Sequence, residues 1–537
     1  MISGAQAIVQ SLMEEGVQVV FGYPGATVCP LYDALLGSPI RHVLTRNEQN
    51  AGHAANGYAR ISGRPGVCIA TSGPGATNLF TAIATAYLDS IPLVAITGQV
   101  PTSQLGRDVF QEVDTTGAAA PFTKYCALVK EAAQLPRALK EAFYIASSGR
   151  PGPVLLDIPM DVQRQLVAFS YPKEVSIRGY KPQFQGHPVQ VKRVAAALRQ
   201  ARRPLLCVGG GAQTPTAKAG VRRLCERLSL PAVSTLMGLG VLPTAHPCNF
   251  GMVGQAGSPL ANRLVRESDL LLIVGARVGD RAVSSPQTLE GESVIVHIDI
   301  DSAEINKNLG TTIPLVGDAG AVLSQLLEQP LGEGWPGWRQ QLERERPAPG
   351  FARREQPLDP RWFLRTLSEQ MAPDGIYVAD VGQNQLWSAQ SCLIPPEGRF
   401  LTSGGLGTMG YALPAAAGAQ LAAPGRQVVA VCGDGSFQMS MMELATLCQE
   451  GLPVKLVVVK NQMLGLVREI QEDSYQDREY GVQLGSLPQL GQIAAAYGIP
   501  HRRVERAQEA PEGIRALLEA PGAFLLECDV DPREKTH

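Results

Sequence analysis

The sequence predicts an α/β chain of three doubly wound parallel-sheet domains, and three observations predict it. Short runs of Val, Ile and Leu alternate with longer amphipathic stretches throughout, the pattern of strands covered on both faces by helices. A chain of 537 residues is too long for a single core. Two stretches interrupt the alternation: 168–190, punctuated by Pro and Gly, and 331–357, rich in Pro, Arg and Glu. With these as linkers, the domains fall at 1–167, 191–330 and 358–537.

In the first domain Ser3 can cap a helix that runs through Ile8, Leu12 and Met13 to Gly16, and residues 17–21 then read as a strand. The runs 67–70, 93–96 and 154–158 repeat that strand type. In the second domain 204–208 enters a glycine turn, while 270–274 and 294–301 read as further buried strands. In the third, 376–379, 427–431 and 454–459 do the same.

Composition narrows the function. The 47 basic and 49 acidic side chains leave a formal charge of -2, too weak a field to gather nucleic acid or anionic lipid. The first residues lack a basic segment followed by an apolar one, so they do not read as a signal peptide. The longest uncharged stretches, 65–88 and 401–425, are broken by Gly, Pro, Ser, Thr and Asn, a poor composition for a membrane span. Ten scattered cysteines without a C-x-x-C pair point to buried free thiols rather than disulfides or zinc. A cytoplasmic protein is expected, with neither nucleic acid nor membrane as partner.

The sharpest site signal is Gly433-Asp434-Gly435-Ser436-Phe437 after one apolar run, with Asn461 directly after the next and 26 residues between Asp434 and Asn461. Consecutive parallel strands end on one sheet edge, where open α/β folds bind ligands. Two oxygen-bearing side chains there, beside glycine amides and a helix expected to begin near Gln438, suit a hard cation with a diphosphate, and magnesium is the natural candidate. A plain strand-to-helix turn has the same composition, since Gly and Asp dominate turns.

At these residues the chain resembles a family. Gly433-Asp434-Gly435 through Lys460-Asn461 is similar to the thiamine-diphosphate motif, with Lys460 where an asparagine is usual. The segments Gly22-Tyr23-Pro24-Gly25, Arg46-Asn47-Glu48-Gln49, Thr71-Ser72-Gly73-Pro74-Gly75-Ala76-Thr77-Asn78, Phe110-Gln111-Glu112, Gly404-Gly405-Leu406-Gly407-Thr408-Met409-Gly410 and Leu464-Gly465-Leu466-Val467-Arg468 resemble the acetohydroxyacid (acetolactate) synthase catalytic subunits. The resemblance spans nearly the whole chain.

It implies decarboxylation of pyruvate on thiamine diphosphate and transfer of the two-carbon unit to a second 2-ketoacid, pyruvate or 2-ketobutyrate. On this reading Glu48 contacts the cofactor's aminopyrimidine ring, where a buried carboxyl can exchange a proton. Gly25 and Gln111 face the reacting oxygen. Asp434, Asn461 and Met463 hold the metal, and Gly433, Gly435, Ser436, Gln383 and Gln385 the diphosphate end. Gly407 and Met409 support the cofactor's bent shape. Phe110, Arg281 and Ile470 meet substrate, Arg281 as the guanidinium for the acceptor carboxylate. Gly209-Gly210-Gly211, Asp299 and Asp318 resemble the segments that bind a non-redox FAD, although the glycine turn does not complete G-x-G-x-x-G.

The resemblance further implies a homodimer or tetramer, with Glu48 and Asp434 facing each other across a subunit interface, and a possible regulatory small subunit. The chain departs from the family around the acceptor pocket: Asn47, Met160, Gln255-Ala256, Val278-Gly279, Asn384 and Ile470 replace the usual residues, Ile470 standing for a tryptophan. The sequence ends at His537 without the family's Pro-rich tail. Another thiamine-diphosphate carboligase or lyase, such as a 2-hydroxyacyl-CoA lyase or a sulfoacetaldehyde-type enzyme, is the alternative reading.

Overall fold

The structure is a computed structural model that describes residues 1–282, 293–347, 350–486 and 488–536. It holds three six-stranded sheets, each wholly parallel, so the α/β reading of three doubly wound domains holds. In the N-terminal sheet the strands lie in the order Arg41–Leu44, Val19–Tyr23, Gly66–Ala70, Leu93–Gln99, Pro153–Pro159, Tyr125–Leu128. The C-terminal sheet runs Arg399–Thr402, Ile376–Ala379, Val428–Gly433, Lys455–Lys460, Phe524–Asp529, His501–Val504. Counted in chain order within each sheet, both read 2-1-3-4-6-5. The middle sheet runs Asn249–Met252, Ala232–Ser234, Pro204–Val208, Leu270–Val274, Val294–Asp299, Ile313–Val316, which reads 3-2-1-4-5-6. That is the order of dinucleotide-binding sheets.

Central strands are apolar because helices cover both faces. Leu93–Gln99, Pro153–Pro159 and Leu270–Val274 are buried at every position. Ser3 caps the helix Gly4–Glu14 in a capping box with Gln6, as its position predicts. The first strand lies two residues beyond the expected 17–21 because Gly16, at φ +70°, and Val17 belong to the turn that ends that helix. The 331–357 stretch, expected as a linker, carries the helix Pro336–Arg344. Its Leu342 is fully buried with Leu205 and Ile273 of the middle sheet, so one apolar residue in a polar stretch anchors it there.

The N- and C-terminal domains pack through the helices Glu48–Ser62 and Ala412–Ala422. Two glycines make the crossing possible. A Cβ at Gly57 would stand 2.0 Å from Ala415 O, and one at Gly418 would stand 1.8 Å from Ala54 O. All ten cysteines are free; Cys29 and Cys448 are exposed, against the expectation of uniformly buried thiols. Among the described residues no helix is long and apolar enough to cross a membrane.

Candidate active site

The residues expected to serve catalysis, the metal and the diphosphate lie at the C-terminal edges of the two outer sheets. At the N-terminal sheet the strand order reverses between Val19–Tyr23 and Gly66–Ala70, which opens a crevice beyond their ends. Gly25 follows the first of these strands and Thr71 to Gly75 the second. Gly25 is extended, at φ -163°, so its glycine answers space rather than backbone conformation. A Cβ there would lie 2.5 Å from Thr71 Cβ.

Glu48 opens the helix Glu48–Ser62 behind the N-cap Asn47, whose side chain accepts from Gln49 N. The Glu48 carboxylate is half-buried, and Asn78 Nδ2 donates to its Oε2 at 2.9 Å. Its other oxygen faces Gly75, where a Cβ would come within 3.2 Å. Gln111 sits at φ +60° in a loop closed by Glu112, whose carboxylate accepts from Gly106, Arg107 and Val109 N–H. This loop lies on the crevice, because a Cβ at Gly73 would touch Gln111 O at 2.9 Å.

The C-terminal sheet reverses between Ile376–Ala379 and Val428–Gly433. Beyond the second strand the chain turns at once into the helix Asp434–Ser440. The helix therefore starts four residues before the expected Gln438, with Gly433 as its N-cap and Ser436 Oγ accepting from Gly433 N at 3.0 Å. Asp434 Oδ2 accepts from Gln462 N at 2.8 Å, so the loops after two adjacent strands meet as their shared edge requires. Asn461 Oδ1 takes Met463 N at 3.0 Å and its Nδ2 donates to Gln383 Oε1 at 2.7 Å. Burial holds the Asp434 carboxyl up, to about 6, against the pull of Gln462 N–H and Lys460. Lys460, the departure from the usual motif, pairs with Glu527 on the neighbouring strand at 2.7 Å.

Gln383 and Gln385 open the helix Gln383–Ser391. Gln385 donates to Thr402 Oγ1 at 2.7 Å, and Gln383 also donates to Glu469 and to Glu534 O. Gly407, at φ +74°, faces open space, whereas Met409 is half-buried beside Gly435. Asp380, which the sequence reading passed over, fixes this loop. Its fully buried carboxylate accepts from Val381 N at 2.8 Å, Gly410 N at 2.9 Å and Ala412 N at 2.8 Å, and burial pushes it up to about 6. The only signal for it was an acid at a strand's C-terminal end.

The chain matches the family models for the N-terminal TPP binding domain of thiamine pyrophosphate enzymes over residues 2–118, the central domain over 191–326 and the C-terminal TPP binding domain over 380–528. The chain belongs to the thiamine pyrophosphate enzymes. It is 41% identical to a probable acetolactate synthase large subunit of Methanocaldococcus jannaschii, covering 99% of this chain and 93% of the relative. It is 44% identical to an acetolactate synthase large subunit of Mycobacterium tuberculosis, over 97% and 87%, and 43% identical to that of Corynebacterium glutamicum, over 96% and 85%. Within the thiamine pyrophosphate enzymes it groups with these acetolactate synthase large subunits.

For a thiamine pyrophosphate enzyme the donor set at the C-terminal edge fits a hard cation. Asp434 is a buried carboxylate raised by desolvation, beside the amide oxygen of Asn461 and the backbone of Met463. Such a site needs no cluster of acids, and among the described residues no group of three His, Cys, Asp or Glu is gathered for a metal.

The three residues expected to meet substrate are exposed in the single chain. Phe110 and Ile470 are 86% and 53% exposed, and Arg281 is an exposed residue of the middle domain whose Nη1 donates to Gln255 Oε1 at 2.6 Å.

The glycine turn of the middle domain is tied to the loop after the neighbouring strand. Gly209 N donates to Val274 O and Gly211 N to Gly275 O, both at 2.9 Å. A Cβ at Gly209 would strike Gly275 O at 2.3 Å. These glycines admit the neighbouring loop, so two of the three amides are not free to meet a dinucleotide. Asp318 caps the helix Ala319–Leu327, with Oδ1 on Ala321 N, and Asp299 Oδ1 accepts from Asp301 N.

Proposed function

We propose that this acetolactate synthase takes up pyruvate, releases carbon dioxide and joins the two-carbon unit to a second 2-ketoacid, pyruvate or 2-ketobutyrate, as branched-chain amino acid biosynthesis requires. The observation that carries the reading is the buried Asp434 carboxylate at a strand-order reversal, with Asn461 and Gln383 around it. Asp434, Asn461 and the Met463 carbonyl would hold Mg2+, and Gly433, Gly435, Ser436, Gln383 and Gln385 the diphosphate. Bound thiamine diphosphate supplies the electron sink for decarboxylation. Glu48 holds and returns a proton at Oε1, while the Asn78 amide anchors Oε2. Met409 would support the cofactor, and Gly25 and Gln111 would present donors to the reacting oxygen.

Two copies are proposed to build each site, Glu48 from one and Asp434 from the other. The exposure of Phe110 and Ile470 supports this, since large apolar side chains left at a surface mark contacts to come. Relatives named as large subunits support a regulatory small subunit for this chain too. A flavin in the middle domain rests on the 3-2-1-4-5-6 strand order, and a yellow purified protein would support it. The test of the whole is acetolactate formation from pyruvate alone, with and without thiamine diphosphate and Mg2+. Product that appears without the cofactor, or none with both present, rejects the proposal.

A further inference from the structure

We infer that Glu443, in the C-terminal domain, is a positioning residue for Glu48 of the same chain. The inference rests on the reading of Glu48 as the residue that exchanges a proton with the cofactor.

Glu443 is 1% exposed, and its carboxylate is committed to the segment that carries Glu48. Oε1 accepts from Arg46 N at 2.8 Å and from Asn50 Nδ2 at 2.9 Å, two residues before and two residues after Glu48. Oε2 accepts from Thr446 Oγ1 at 2.5 Å, and that hydroxyl also approaches Leu44 O at 3.3 Å. A third tie runs from Arg46 Nη2 to Gln449 Oε1 at 2.9 Å. Glu48 itself has one side-chain bond, to Asn78, so its backbone must be fixed from elsewhere if its carboxylate is to stay aimed.

The clamp is rigid for a structural reason. Glu443 closes the short 3-10 turn Met441–Glu443 between the helices Asp434–Ser440 and Leu444–Glu450, a run that starts at the proposed metal residue. Burying a carboxylate costs free energy that an apolar residue would not, and here burial raises the Glu443 carboxyl above its usual range. A contact that only glued the domains would not need a charge, because the helix crossing at Gly57 and Gly418 already packs them. A charge that grips one backbone N–H and one amide around a proton-exchanging residue fixes direction, to which such residues are sensitive.

The experiment follows exchange of the thiazolium C2 proton of thiamine diphosphate in D2O on the holoenzyme, quenched in acid and read by NMR, beside cofactor affinity. Glu443→Gln preserves shape and one acceptor oxygen but weakens the grip. The expected result is exchange slowed by about ten-fold or more, with cofactor affinity unchanged within two-fold. Exchange at the wild-type rate overturns the inference. So does a parallel fall of exchange and affinity, which would report general damage. Should Glu443→Gln not fold, Asn50→Ser removes one of the two contacts, and a slowing of about three-fold is expected against no change for a merely structural contact. Glu48→Gln is the control for the underlying reading: if it exchanges normally, the role of Glu48 fails first and visibly.

Discussion

The N- and C-terminal sheets share one strand order, 2-1-3-4-6-5, yet their crevice edges are equipped in opposite ways. The N-terminal edge presents Glu48, half-buried with a single side-chain partner, among glycines at 25, 73 and 75 that let Thr71 and Gln111 pack close. The C-terminal edge presents Asp434, Asn461 and Gln383, buried and bonded to one another's loops. Topology decides where a crevice forms, and the residues at the loop ends decide its chemistry. One edge suits proton exchange with a ring, the other a cation and its diphosphate. A further contrast lies within the C-terminal edge. Asp380 and Asp434 are both raised to about 6, but beyond its own turn Asp380 satisfies two backbone N–H groups, of Gly410 and Ala412, whereas Asp434 has one such partner, Gln462. Asp434 therefore keeps more acceptor capacity for an ion than Asp380, which is fully buried.

Substitutions at each edge break this comparison in different ways. The largest effect is expected from Glu48→Gln, which should lower pyruvate consumption by about 10^2- to 10^4-fold while cofactor still binds. Steady-state rates beside a cofactor titration check it, and a variant with the wild-type rate would remove the N-terminal edge from the chemistry. Asp434→Asn should instead weaken Mg2+-dependent cofactor binding by at least about ten-fold.

The two edges should also differ in pH. Burial raises Asp434 from 3.8 to about 6, so below about pH 6 a proton competes with the cation, and affinity should fall about ten-fold per pH unit. The same shift means that the unfolded chain ionises first. Between about pH 4 and 6 the metal-free protein therefore loses stability as pH rises, and the ion restores it. Titrations of wild type and Asp434→Asn across that window should show the affinity slope only in wild type, although Asp380 titrates in both.

A smaller effect tests the joint between the domains. Gly418→Ala drives a methyl into Ala54 O and should cost about 1–3 kcal/mol, seen as a lower thermal midpoint with the middle domain's own unfolding unchanged. The smallest is Ile470→Trp, which restores the family's usual residue. Because Ile470 is half exposed, a change of about 1 kcal/mol in the preference for 2-ketobutyrate over pyruvate is expected from competition of the two acceptors.

Much of the fold was legible because buried parallel strands need continuous apolar runs. Pro204–Val208, Leu270–Val274 and Ile376–Ala379 lie where the pattern puts them. Edge strands such as Arg41–Leu44 and His501–Val504 were missed because one side of each is open and their residues are mixed. That Asp434 and the loop opened by Asn461 share an edge was legible from spacing alone, since consecutive parallel strands end on one edge. Asp380, Asn78 and Glu443 could not, because their partners lie 30 or more residues away, or are backbone N–H groups that carry no sequence identity.

By itself the sequence determined the α/β class, the apolar strands and the residue types able to hold a cation and move a proton, because these depend on local periodicity and side-chain chemistry. Only the tertiary structure decided that the outer sheets share a strand order, that the Gly209 turn is filled by Gly275, and that Glu443 grips the segment around Glu48. Those are matters of which distant segments touch, and a one-dimensional pattern does not encode a contact between residues 397 positions apart.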